Sequence, residues 1–67
     1  MTQGERIIRY IEKFGSITPF EAFADLGVTK LATRISELIR AGVEIRKEMV
    51  EGENRFGEPV RYMRYSM

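Results

Sequence analysis

The sequence predicts an α+β fold of three helices followed by a β-hairpin, and three observations carry that prediction. Two Thr-x-x-Glu capping boxes mark helix starts at Thr2 and Thr18. Gly15, Gly27 and Gly42 each close a segment whose apolar residues recur at helical spacing. From Val43 the apolar period changes to two, and Asn54-Arg55-Phe56-Gly57 interrupts it with the chemistry of a tight turn.

Helix 1 is expected to begin at the Thr2-Gln3-Gly4-Glu5 box, with Ile7, Ile8, Ile11 and Phe14 on its buried face and Arg6, Arg9, Glu12 and Lys13 in water. Ser16-Ile17 leaves room only for a very short strand. Thr18-Pro19-Phe20-Glu21 then opens helix 2, with proline at the first helical position, where its missing N–H costs nothing. This helix runs through Phe20, Ala22, Phe23 and Ala24 to Leu26 and turns at Gly27. Thr29 is expected to cap helix 3 (about 29–41), whose stripe of Leu31, Ile35, Leu38 and Ile39 faces the core.

In the hairpin, Val43, Ile45 and Met49 share one side of the first strand, and Val60 to Met67 forms the second. A type I turn with Gly57 in the left-handed region sets Asn54 against Glu58, and counting outward from that pair fixes the register. Met49 then faces Met63, Lys47 faces Tyr65, Ile45 faces Met67 and Val50 faces Tyr62. Glu48 meets Arg64, and Glu51 meets Arg61. A slip of one residue loses both opposite-charge pairs.

The chain has 67 residues, room for one domain (1–67) with a single small core. It has no cysteine and no histidine, which excludes thiolate and imidazole metal sites, cysteine nucleophiles and histidine acid/base chemistry. Glu12, Glu21 and Asp25 read as helix-surface or capping carboxylates, and the glycines form no phosphate-binding motif. Met49, Met63 and Met67 read as core fillers. No enzymatic activity, metal, cofactor or small-molecule ligand is therefore expected. Arg6, Arg9 and Glu12 interrupt the first apolar cluster, so it is neither a membrane span nor a leader core, and a cytoplasmic location is expected.

Helix, short strand, helix, turn, helix, strand, turn, strand is the winged helix-turn-helix order. In that arrangement the third helix is free to enter the major groove of double-stranded DNA, which is about 12 Å wide. Projected on a wheel, Thr29, Lys30, Thr33, Glu37 and Arg40 lie opposite the apolar stripe, with Arg34 at the border. Thr29, Lys30, Thr33 and Arg34 are the base-reading candidates, and Arg40, at the far end, is placed for phosphate. Glu37 opposes phosphate contact. On the wing (about 51–60), Arg55 is placed for the minor groove. Arg61 and Arg64, just beyond it, serve either phosphates or their partners Glu51 and Glu48. Phe56 either folds back over the hairpin or meets a groove. Formal net charge is only +1, so distribution carries this argument and not the total.

Three stretches, Phe14-Gly15-Ser16-Ile17-Thr18-Pro19, Leu31-Ala32-Thr33-Arg34-Ile35-Ser36-Glu37-Leu38 and Asn54-Arg55-Phe56-Gly57-Glu58-Pro59-Val60-Arg61-Tyr62, together with Asp25-Leu26-Gly27, carry a family resemblance. Over almost its full length the chain resembles small helix-turn-helix proteins encoded in prophages and mobile elements of bacteria. The resemblance implies a DNA-binding winged helix in a phage context. It leaves open a transcriptional regulator, an excisionase-like architectural factor and a packaging accessory. The expectation is a phage-type regulator on double-stranded DNA, with a protein-interaction module as the alternative. A homodimer is the arrangement by which so weakly charged a domain would bind DNA tightly, and the strand ending at Met67 is its conceivable edge.

Overall fold

Thr2 and Thr18 each start a helix by closing a capping box. Thr2 Oγ1 accepts from the Glu5 N–H at 3.1 Å while the Glu5 carboxylate accepts from the Thr2 N–H at 3.4 Å. The Thr18–Glu21 pair repeats this at 3.2 and 3.0 Å. In the computed structural model, which describes residues 1–67, the elements are α1 (Gln3–Phe14), β1 (Ser16–Ile17), α2 (Pro19–Leu26), α3 (Leu31–Arg40), β2 (Arg46–Glu53) and β3 (Pro59–Ser66). The order and type of elements are those the sequence predicts. None of the helices is long and apolar enough to cross a membrane.

β1 is only two residues long, yet it joins the two halves of the chain. Ser16 pairs with Ser66 and Ile17 with Tyr65, giving an antiparallel sheet in the order β1-β3-β2. Ile17 is thereby fully buried in a core with Ile7, Tyr10, Ile11, Ala22, Val28, Leu31, Ile35 and Tyr65. Each fully buried aliphatic side chain there contributes about 1.5–3 kcal/mol. Asp25 does more than sit on a helix surface, because its Oδ2 accepts from the Tyr10 hydroxyl at 2.5 Å and ties α2 to α1. That hydrogen bond, then burial and the nearby charges of Glu21 and Asp25, push the Tyr10 pKa up to about 12.

The hairpin register is the predicted one along the paired strands, from Arg46 opposite Ser66 through Glu48–Arg64, Met49–Met63, Val50–Tyr62 and Glu51–Arg61 to Glu53–Pro59. Its cause is the turn. The Gly57 N–H donates to the Asn54 carbonyl at 3.0 Å, the Asn54 N–H donates to the Glu58 carbonyl at 3.0 Å, and Gly57 sits at φ 76°.

The structure corrects several expectations. The first strand begins at Arg46 and not Val43, because Val43 is used to end α3: with Gly42 at φ 102°, the Gly42 N–H reaches the Ile39 carbonyl and the Val43 N–H the Leu38 carbonyl, both at 3.0 Å. Ile45 and Met67 consequently lie outside the ladder. Thr29 does not cap α3. The buried Val28 donates its N–H to the Ala22 carbonyl at 3.0 Å, which spends Thr29 in the turn and leaves Lys30 at the cap position, with no side-chain cap.

The apolar stripes are also narrower than their periodicity. Phe14 is 61% exposed, because the buried arc of α1 is centred on Ile7, Tyr10 and Ile11, and Phe14 packs instead on the Tyr10 ring at 4.6 Å between centroids. Ile39 is 40% exposed beside the half-buried Leu38. Of the three late methionines, only Met63 packs against the core, since much of the hairpin lies away from it in a molecule of 38 × 21 × 21 Å overall.

Candidate nucleic-acid interface

α3 is held from behind by Leu31 and Ile35, both buried, and by the half-buried Leu38. These contacts leave Thr33, Glu37 and Arg40 on its exposed side, and Thr29 and Lys30 exposed in the approach to its first turn. Lys30 stands at the cap with φ −121° and ψ 61° and makes no side-chain cap hydrogen bond. The only first-turn amide bonded within the chain is that of Arg34, to the Lys30 carbonyl at 3.2 Å. The amides of Leu31, Ala32 and Thr33 are therefore open donors at the positive end of the helix dipole, next to Lys30. An anion fits that arrangement.

Arg34 is differently placed from the other candidates. Its Nη1 donates to Glu37 Oε1 at 2.7 Å, and its Nε is buried without a partner. The pair lies across a depression from Thr2, Gln3 and Gly4 at the start of α1. Glu37 thus neutralises Arg34 on the helix surface, and the two together present little net charge to a polyanion.

The wing separates its arginines in the same way. Arg61 pairs with Glu51 at 3.4 Å and Arg64 with Glu48, as the register requires. Arg55, at the tip, has no carboxylate partner, and neither have Lys30 and Arg40. Phe56 does not fold back over the hairpin: it is 85% exposed.

Two further cations, which sequence reasoning passed over, lie on the hairpin. Arg46 and Lys47 begin β2, have no carboxylate partner, and line a shallow depression with Ser16, Glu48, Arg64 and Ser66 at the base of the wing. Two consecutive basic residues at the start of a strand were the available signal. Alternation puts their side chains on opposite faces, so the pair did not read as a patch. On α3, its approach and the hairpin, Lys30, Arg40, Arg46, Lys47 and Arg55 are therefore without a carboxylate partner, whereas Arg34, Arg61 and Arg64 are already paired.

No curated protein and no solved structure matches the chain. A family model described as a winged helix-turn-helix domain matches residues 2–67, which spans every element above. With three helices, a three-stranded sheet and a hairpin wing in the required order, the chain belongs to the winged helix-turn-helix domain family, a fold that generally implies DNA binding.

Proposed function

We propose that this chain is a DNA-binding transcriptional regulator of phage type, which reads the major groove with α3 and steadies itself with the wing. The observation that carries the reading is the uncapped start of α3, where Lys30, Thr29 and Thr33 surround three open backbone amides. Phosphate at the amides fixes the register of the helix, and Thr33, with Arg34 once released from Glu37, meets base edges. Selection of bound duplexes from a random pool tests this. A recovered motif that changes with Thr33→Ala, and weaker binding to every sequence with Lys30→Ala, are the expected results. A wild-type pool that never enriches contradicts the reading. If two copies bind together, the motif contains half-sites about one helical turn apart.

One observation favours a second reading, that of a protein-interaction module. Phe20 is 78% exposed and Phe23 lies exposed three residues further along α2, so both rings share a helix face that the core leaves uncovered. A partner retained by the immobilised protein after nuclease treatment, and released by Phe20→Ala with Phe23→Ala, supports that reading. Loss of the partner on nuclease treatment returns the case to DNA.

A further inference from the structure

Phe56 is the most exposed large apolar side chain of the molecule, and it stands on a rigid support. Asn54 builds that support with its side chain. Its Oδ1 accepts from the N–H of Phe56 at 2.9 Å and of Glu58 at 3.0 Å, and its Nδ2 donates to Glu58 Oε1 at 3.1 Å. With the Asn54 side chain turned into the loop and Gly57 bearing none, Arg55 and Phe56 are the side chains left to project from the tip. Phe14 packs at a tilt against the Tyr10 ring, whereas the Phe56 ring has no aromatic neighbour. A loop tip ordinarily carries small or polar residues; an aromatic ring held out by a network of hydrogen bonds is placed to enter an apolar environment elsewhere.

We infer that Phe56 is a wedge that enters a base step from the minor groove and bends the bound DNA, with Arg55 beside it in the groove. This rests on the DNA-binding reading above and adds a mechanical role for the wing that major-groove reading alone does not contain. The environment between two bases is flat, apolar and aromatic, and a ring delivered there partly unstacks the step and kinks the duplex. Charge at the tip is compatible with such an approach. Glu51 is paired with Arg61 and Glu58 is held by Asn54, so Glu53 is the free carboxylate nearest the turn, and Arg55 offsets it. Arg55 also has a physical reason to sit in a minor groove, where the potential is most negative when the groove is narrow. In the inferred pose the ring passes the phosphates to reach the base stack, so repulsion between Glu53 and phosphate weakens the approach without blocking insertion.

The test uses the full chain and a duplex of about 20 base pairs, roughly 68 Å from end to end, carrying the sequence recovered from the random-pool selection and labelled at both ends for energy transfer. A second copy of the duplex carries 2-aminopurine at its pyrimidine–purine steps, the steps that kink most easily. Wild-type protein is expected to shorten the end-to-end distance by an amount corresponding to a kink of about 20–90°, and to raise 2-aminopurine fluorescence at one step. Phe56→Ala is expected to abolish both signals while weakening binding by no more than roughly tenfold, and Phe56→Leu to keep part of the bend. Arg55→Ala is expected to lower affinity and its salt dependence, with the bend retained in the saturated complex. A wild-type complex as straight as free DNA, or a Phe56→Ala complex bent as strongly as wild type, overturns the wedge while leaving α3 as a reader. Failure to bind any duplex overturns the DNA reading itself. Because Phe56 touches no core residue, thermal unfolding of Phe56→Ala should match wild type, which separates loss of the wedge from loss of the fold.

Discussion

The helical body and the hairpin are held together by different forces. Eight of the nine buried residues lie between Ile7 and Ile35, and the hairpin contributes only Tyr65. The body is stabilised by apolar burial, which ionic screening does not weaken. The hairpin relies on its backbone ladder, on one hydrogen-bonded turn and on surface ion pairs that salt screens. Under the proposed function α3 needs a fixed platform, and the body would provide it. A wing needs reach, and a ribbon two strands wide reaches further per residue than a helix does.

Ile17→Ala should have the largest effect. Ile17 is fully buried where β1 joins helices to hairpin, so the loss is about 2–4 kcal/mol, a large part of the stability of so small a chain. Urea unfolding followed by circular dichroism checks it, and both regions should melt together. Gly57→Ala comes next, at about 1–2 kcal/mol, because Gly57 sits at φ 76° with open space around any added Cβ, so backbone strain is the whole cost. Here the two regions should part: amide exchange should accelerate in β2 and β3 and stay unchanged in α1 and α3. Equal acceleration in the helices would show that body and wing open as one unit.

Tyr10 sharpens the contrast from the other side. Its phenol is raised to about 12 in the fold against 10.0 in an exposed chain, and the neutral phenol is the form that donates to Asp25. The Tyr10–Asp25 contact therefore contributes its full stability below pH 10, and that contribution is lost as pH rises toward 12. Thermal unfolding across this window should show a decline that Tyr10→Phe removes. The smallest effect belongs to Arg61→Ala. Its partner Glu51 is largely exposed, so stability should fall by no more than about 1 kcal/mol, and high salt should erase the difference from wild type.

The contrast also governs how much of the molecule could be read from residues alone. Local chemistry was legible: both capping boxes, the Asn54–Gly57 turn and the register that follows from it are decided within a few residues of chain. What depends on the meeting of distant elements was not. Periodicity shows which residues share a helix face, but it does not show how wide an arc the neighbours cover, so Phe14 and Ile39 were placed inside and Tyr10 was missed. Val28, a lone apolar residue between Gly27 and Thr29, carries no periodic signal, yet its burial decides where α3 starts. At the interface, the exposure of Lys30, Thr33 and Arg55 followed from position. The pairing of Arg34 with Glu37 needed rotamers, and the depression that gathers Arg46 needed the sheet.

The central claim is that the free cations near α3 meet DNA phosphates. Fluorescence anisotropy on the selected duplex, repeated over a range of salt concentrations, tests it with wild type and with Lys30→Ala, Arg40→Ala combined. Wild-type affinity should fall steeply and linearly on a double-logarithmic plot, and the double variant should bind more weakly with a slope shallower by about two. Affinity that is flat with salt, or a slope that the double variant leaves unchanged, would contradict it.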